Sequence, residues 1–568
     1  MKIGIIQNNP LIGDFSANAD YLLNAYQQLS KDGADIVISP ELSLVGYPPL
    51  DLIFEANFIQ ESYIALQNLA KSTTSIPLIV GSLRQADSDH SDPRPFNSAF
   101  WLIDGEIQHY QDKSLLATYD VFNEKRYFRA ATKQQPFTWN NIIIGLTICE
   151  DIWHHADFNP IHYSQNPLHN LKQQGAELIL NISASPFYHH KPQLRSSLLA
   201  QQATFSQAAF IYVNTAGAQD ELIFDGGSQI LSNQGQLLAQ APHFSEGNYL
   251  FDVDLSTQPL AQIAPLAKIP IITQSRMDYD LTHFDAQAIH QALLTGIRNY
   301  VKKCGFKSVC LGLSGGVDSA LVATLATQAL GAKNVYTVML PSQYSSQGSL
   351  DDAQALANNL GINCREVSIQ NMVDTSIDTL NQQLFKEDNS QAQDLTEQNL
   401  QARIRGLLLM AYSNQNNHLL LTTGNKSEIS IGYCTLYGDM CGGLNPIGDL
   451  LKTEVYALCD WINRDKIIIP TNTLTKAPSA ELKPNQTDQD SLPDYSYLDA
   501  LLHHLIVECS SLETIQNIGF KDTDIQWAKR QIHISEWKRN QSAIILKVSE
   551  KSFGKGRIIP LSKKLDHQ

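Results

Sequence analysis

Two stretches of this chain hold residues able to do chemistry. In GLTICEDIW, Cys149 closes an apolar, strand-like run and is followed by two carboxylates, Glu150 and Asp151. A thiol attacks carbon efficiently only as thiolate, so a nucleophilic cysteine needs a base or a cation nearby; ordinary core burial is the competing reading of a lone cysteine. Possible partners stand upstream. ISPELSLVGYPPLD sets Glu41 directly after a strand-like run and a proline, and DKSLLATYDVFNEKRYF supplies Lys113 with Tyr119, Glu124 and Arg126 close behind. The second stretch is LGLSGGVDSALVA at 311–323. It has the strand, glycine turn and helix of a phosphate loop, but lacks the lysine that GxxxxGK[ST] requires. What remains is a nest of backbone N–H groups, the hydroxyls of Ser314 and Ser319, and a helix N-terminus. Such a nest suits pyrophosphate that is held and then released, with Asp318 able to hold a magnesium ion. SGG alone fits a plain strand-to-helix turn; the order SGGxDS after an apolar strand is more specific.

The elements that must position these groups fall into two series. KIGIIQ, ADIVISPE, IPLIVGSL, SAFWLIDG, NIIIGLTICE, AELILNIS and AFIYVNTAG read as short strands, separated by helix-like NADYLLNAYQQLSKDG and FIQESYIALQNLAKS. The NQG of ILSNQGQLLA adds a hairpin signal, so a layered α/β fold with a mixed sheet is expected. This series closes near YLFDVDLS (249–256), and a proline-containing, aperiodic segment follows. We expect domains at 1–258 and 283–568 joined by a linker at 259–282. The second series alternates helix, strand (SVCLGL), helix (DSALVATLATQALG), strand (NVYTVML), helix (SLDDAQALANNLG) and strand (CREVSIQ). That rhythm predicts a doubly wound parallel sheet with ligands at the strand C-termini, where SGGVDS lies. FKEDNSQAQDLTEQ (385–398) is polar and reads as a loop, and the basic C-terminal KRNQSAIILKVSEKSFGKGRIIP as irregular.

A length of 568 residues calls for at least two cores. The formal charge of −16, with basic residues scattered, argues against a nucleic-acid or anionic-membrane surface, and no apolar run of about 18 residues would span a bilayer. The start resembles a strand rather than a signal peptide, and the eight cysteines show neither CxxC spacing nor a compact framework. A cytoplasmic protein with free thiols is expected.

PELSLVGYPPLD, DKSLLATYDVFNEKRYF, ICEDIW and NISASPF are similar, in order and spacing, to the motifs of the nitrilase-type amidases. The resemblance implies a four-layer α-β-β-α sandwich and a Glu-Lys-Cys triad: Glu41 as general base, Lys113 supporting the oxyanion, and Cys149 forming a thioester with an amide carbon. It assigns Glu124 to support the triad, and Tyr119, Ser185 and Lys191 to hold glutamine. Ala117 stands where relatives usually carry Pro, and His190 where they usually carry Gly.

SGGVDS resembles the signature of the PP-loop ATP pyrophosphatases. LPSQYSS, LTEQNLQARIRG, LTTGNKSEISIGYCTLYGDMCGGLNPIGDLLKTEVY and KAPSAELKPNQTDQD are in turn similar to the NAD synthetase family, here in the domain order of its glutamine-dependent branch. The resemblance implies that Gly312, Leu313, Ser314, Gly315, Gly316, Val317, Asp318 and Ser319, with Thr423 and Lys452, meet ATP. It implies that Asn399, Arg403, Glu428, Tyr433, Cys434, Thr435, Leu436, Asp439 and Lys538 contact deamido-NAD, and that Asp318 and Glu428 hold Mg2+. WKRNQSA departs from the family's usual aromatic-KR-x-Q-x-P around Lys538. A solvated helix face is the open alternative for Arg405. The implied substrates are deamido-NAD, ATP and L-glutamine, with ammonia conducted internally, and the implied assembly is a homodimer through the synthetase domains or something larger. Another PP-loop amidotransferase, GMP synthetase-like, is the nearest enzymatic alternative, and a catalytically retired binding protein the non-enzymatic one.

Overall fold

The chain divides into two units, Met1–Ile271 and Ile272–Gln568. The computed structural model describes residues 1–85, 92–154, 163–255, 276–384 and 393–564. The first unit contains β1 (Lys2–Gln7), β2 (Ile36–Ile38), β3 (Leu78–Arg84), β4 (Phe96–Ile103), β5 (Glu106–Asp112), β6 (Phe137–Trp139), β7 (Ile142–Ile148), β8 (Leu178–Ser183), β9 (Ala209–Asn214), β10 (Ala216–Gln219), β11 (Leu222–Asp225), β12 (Gln229–Leu231), β13 (Leu237–Gln240) and β14 (Gly247–Asp252).

These strands form two six-stranded mixed sheets, in the orders β14-β1-β2-β3-β4-β5 and β13-β12-β9-β8-β7-β6, with β10 and β11 as a separate hairpin. Period-two alternation sends one set of side chains between the sheets. Ile3, Ile5, Ile36, Ile38, Ile79 and Trp101 from one sheet share a core with Ile144, Leu146, Ile148, Leu180, Ile182 and Ile211 from the other. The opposite set faces outward onto helices. Val37, Val80, Phe100 and Leu102 meet Leu22, Tyr26 and Leu66 of helices Phe15–Lys31 and Phe58–Lys71. Ile179, Phe210 and Tyr212 meet Leu171, Leu198 and Ala203 of helices Pro167–Gln173 and Lys191–Ser206. The layers are therefore α-β-β-α. The NQG hairpin joins β12 and β13, which pair antiparallel.

The second unit is built on β15 (Val309–Gly312), β16 (Val335–Met339), β17 (Asn363–Glu366) and β18 (Leu419–Leu420), all parallel in the order β17-β16-β15-β18. The order reverses between β15 and β18, so the loops that leave their C-terminal ends open a crevice there. On one face, Val338 and Leu340 pack on Val373 and Ile404 of helices Gln370–Gln383 and Gln393–Asn416.

The expected linker lies mostly outside the described residues; its described part, 276–282, forms no helix or strand, and the Tyr279 N–H donates to the Ser496 carbonyl at 3.1 Å. The loop expected at 385–398 is corrected: 385–392 lie outside the described residues, but helix Gln393–Asn416 already includes 393–398, whose Gln, Leu and Glu are good helix formers. Within the basic C-terminal segment, Glu536–Arg539 is a short helix and Ile544–Ile545 pairs parallel with Leu444–Asn445. Among the described residues no helix is long and apolar enough to cross a membrane.

Candidate active sites

In the first unit the reactive groups come from strand ends. Glu41 follows β2, Lys113 follows β5, and Cys149 is the first residue beyond β7. Cys149 sits at φ 43°, in the left-handed region that costs a side-chain-bearing residue about 1–3 kcal/mol and that recurs at nucleophile turns. Asp151 holds this bend. Its carboxylate accepts from the Ile148 N–H at 3.0 Å and from the Ser114 and Leu115 N–H groups at 2.9 and 2.8 Å, tying the end of β7 to the loop that carries Lys113.

Lys113 Nζ donates to Glu41 Oε1 at 2.7 Å and to Glu124 Oε1 at 2.8 Å. Both carboxylates and the lysine are buried. Glu41 also accepts from Asn97 Nδ2 at 2.7 Å and the Ala184 N–H at 2.8 Å, while Glu124 accepts from the Tyr47 hydroxyl at 3.1 Å and the Ala117 N–H at 2.9 Å. An ammonium has three donors, and the two carboxylates take two, so one is available to an anion forming on a substrate. Burial works against the charge of Lys113, but Glu124 and Glu41 outweigh it and hold its pKa well above the usual lysine value. The Cys149 thiol is pushed up by burial and then by Glu41, with Lys113 opposing, so the resting group is a thiol beside a carboxylate. Such a set can run acyl transfer: carboxylate to take the thiol proton, ammonium to support the oxyanion.

The three residues carried over for glutamine lie on segments that touch this cluster. The Tyr119 hydroxyl donates to Glu150 Oε2 at 3.0 Å, Ser185 is buried next to Ala184, and Lys191 Nζ stands 3.8 Å from the centre of the Trp153 ring. His190, immediately before Lys191, has φ 69°, which explains why a glycine is favoured there. Sequence reasoning missed Asn97, Tyr47, Tyr163, whose hydroxyl donates to Glu150 Oε1 at 2.7 Å, and the specific uses of Glu150 and Asp151. The two carboxylates after the cysteine were visible; the partners inside or beyond other strands left no local signal.

In the second unit, the β15 turn and the loop after β18 meet at the reversal point. Gly315 takes φ +82°, and a Cβ there would collide with the Ser349 carbonyl, so only glycine fits. The Ser314 and Ser319 hydroxyls lie 3.1 Å apart, and the Gly316 N–H opens helix Val317–Leu330. Gly312 ends β15, and the Leu313 N–H donates to the Val338 carbonyl at 3.0 Å. Asn425, unread in the sequence, joins the two loops: Nδ2 donates to Asp318 Oδ1 at 2.9 Å and Oδ1 caps the Glu428 N–H at 3.0 Å. Thr423 lies half-buried in the same loop. Lys452 Nζ, buried, donates to Asp318 Oδ2 at 2.6 Å and Glu428 Oε1 at 3.0 Å. Burial pushes Glu428 up to about 8 against Lys452, while Asp318 and Glu428 hold Lys452 well above its usual value against its burial.

The carried-over dinucleotide set gathers around the 432–439 loop. The Thr435 hydroxyl donates to Asn399 Oδ1 at 2.8 Å, the Thr435 N–H to Asp439 Oδ1 at 2.6 Å, and Arg403 Nε to the Leu436 carbonyl at 3.3 Å. Lys538 Nζ donates to the Gly432 and Cys434 carbonyls at 2.9 and 2.7 Å, and the Tyr433 N–H to the Glu428 carbonyl at 2.9 Å. Arg403 is exposed, whereas Arg405 is half-buried, and burial lowers its pKa.

Residues 2–261 match the carbon-nitrogen hydrolase family and residues 289–542 the NAD synthase family. Over the whole length, the chain is 43% identical to the glutamine-dependent NAD(+) synthetase of Synechocystis sp. and 39% identical to that of Thermotoga maritima, covering 99% of this chain and 98% of each relative. Among solved structures, the glutamine-dependent NAD+ synthetase from Acinetobacter baumannii in complex with ADP is 34% identical, with a TM-score of 0.74 over 99% of this chain and 98% of that one.

Proposed function

Because this chain belongs to the glutamine-dependent NAD(+) synthetases, ATP-dependent ligases that take their nitrogen from glutamine, we propose that residues 1–258 release ammonia at Cys149 and residues 283–568 consume it. The observation that carries this reading is the buried Lys113 ammonium bridging Glu41 and Glu124 beside a thiol held at a strand end.

Glutamine is held by Tyr119, Ser185 and Lys191. Lys191 and Glu150 offer opposite charges to its zwitterionic main chain. Glu41 takes the thiol proton as sulfur bonds to the amide carbon, Lys113 supports the oxyanion, and Glu41 returns the proton to the departing ammonia. Water then attacks the thioester, again with Glu41 as base, and glutamate leaves.

In the second unit a nicotinate oxygen of deamido-NAD attacks the α-phosphorus of ATP. The bond to the β-phosphate breaks, pyrophosphate leaves with the electron pair, and residues 312–319 hold it. Ammonia attacks the resulting mixed anhydride, AMP leaves, and NAD forms. At neutral pH free ammonia is mostly unreactive ammonium, which is why a local source matters. Thr423 and Lys452 serve the nucleotide; Asn399, Arg403, Glu428, Tyr433–Leu436, Asp439 and Lys538 serve deamido-NAD.

Asp318 and Glu428 converge on one cation, the Lys452 ammonium, and such a pair of hard oxygen donors fits Mg2+, which commonly takes one or two carboxylates plus substrate phosphates. These two residues would hold the ion; when bound, it supplies neutralisation of triphosphate charge. A second copy of the chain covers the exposed Leu407, Met410 and Tyr437 of the second unit. A cytoplasmic setting suits a thiol nucleophile and cysteines that form no disulfide among the described residues.

The test pairs two variants. C149A is expected to abolish glutamine-driven NAD synthesis and leave ammonium-driven synthesis working, whereas D318A stops both. Full glutamine-driven turnover in C149A would remove Cys149 as nucleophile, and ammonium-driven turnover in D318A would remove Asp318 from the synthetase centre.

A further inference from the structure

Arg405 is a charged group for which the protein supplies little. It stands on helix Gln393–Asn416, and its Nε donates to the Leu340 carbonyl at 3.0 Å, immediately beyond β16. The guanidinium is thereby fixed at the C-terminal edge of the parallel sheet, where β15 also releases its glycine turn. Burial lowers its pKa to about 10, against the opposing charges of Glu481 and Asp439. Among the described residues neither carboxylate comes within ion-pair distance, and the two Nη groups take no protein acceptor. Glu481 is engaged by the Ser346 and Ser349 hydroxyls at 2.8 and 2.7 Å, and Asp439 by the Thr435 N–H at 2.6 Å. Arg405 is half-buried and its Nη atoms are not among the buried polar atoms left without a partner, so the fork opens on free space beside the sheet edge with no protein anion on it, where a ligand anion can reach it.

The two carboxylates also mark where Arg405 lies. Ser349, which holds Glu481, is the residue whose carbonyl closes over Gly315; Asp439 belongs to the loop that gathers Asn399 and Arg403. Arg405 thus stands between the turn proposed for the ATP phosphates and the loop proposed for the dinucleotide. We propose that the Nη pair of Arg405 binds the non-bridging oxygens of the phosphoryl group that passes from ATP to the carboxylate of the second substrate. In that step one oxygen–phosphorus bond forms, the bond to the β-phosphate breaks with its electron pair leaving on pyrophosphate, and no proton moves. Charge gathers on the phosphoryl oxygens, and a planar two-donor fork matches them where a lysine does not.

This inference rests on the adenylation reading above. The test is exchange of labelled pyrophosphate into ATP by the full chain, dependent on deamido-NAD and with no nitrogen donor present. R405Q is expected to lower the exchange rate by about 100-fold, the effect of losing an oxyanion donor, while the calorimetric Kd for ATP moves by less than about fivefold. R405K, which keeps the charge and loses the fork, is expected to fall by about tenfold. Exchange in R405Q within about threefold of the parent would overturn the assignment, as would a rate loss matched by an equal loss of ATP affinity, the mark of a collapsed turn. If R405Q does not fold, R405K decides on the same two measurements. A parent chain without exchange would sink the adenylation reading itself, so the two failures are distinguishable.

Discussion

Glu124 owes its pKa of about 7 to burial, with Lys113 opposing and Glu41 adding to it. Below that pH the folded protein carries Glu124 protonated and the lysine loses one of its two anchors; above it the carboxylate is restored. Because the folded value lies above the ordinary carboxylate range, ionising Glu124 withdraws stability as pH rises from about 4.5 through about 7. Glutamine hydrolysis gains over the upper part of the same window, so function and stability run in opposite directions here. The expected pH profile of glutaminase kcat/KM has an acid limb near pH 7. E124Q is expected to lose that limb and to run about 100-fold slower at its plateau, since Gln cannot hold the ammonium as a carboxylate does. A limb that persists in E124Q belongs to another group.

At the level of elements, function depends on how strands end. Gly315 is the sharpest case: its positive φ and the Ser349 carbonyl leave no room for a side chain. G315A is therefore expected to lose NAD synthesis with either nitrogen donor and to weaken ATP binding by at least about tenfold in calorimetry. Unchanged affinity would mean that the turn does not cradle the nucleotide. This strand, glycine turn and helix were legible because an apolar run, two glycines and a periodic helix follow one another locally. Runs such as LILNIS and AFIYVN were equally plain, being apolar and buried on both faces. β5, EIQHYQD, was not read: its polar residues alternate along a half-exposed strand. Neither were the donors to Glu41, because Asn97 and the Ala184 N–H reach it from 56 and 143 positions away, through sheet pairing that no local pattern encodes. Arg405 resembled any helix-surface arginine until the packing around it was known.

Over the molecule, two chemistries share one chain so that one consumes what the other releases. In the second unit Leu407, at 60% of its full accessibility, and Tyr437, at 62%, are large apolar side chains left exposed. Exposed apolar side chains are candidates for an interface, and L407E is expected to shift the sedimentation of the proposed dimer toward monomer; an unmoved profile would locate the contact elsewhere. The first unit adds a constraint of another kind. Its proposed base is oriented by a backbone amide at Ala184, well after the last reactive side chain at Cys149. A chain ending anywhere in the 35 residues between Cys149 and Ala184 would therefore hold the acid, amine and thiol yet lack one of the donors that orient the acid.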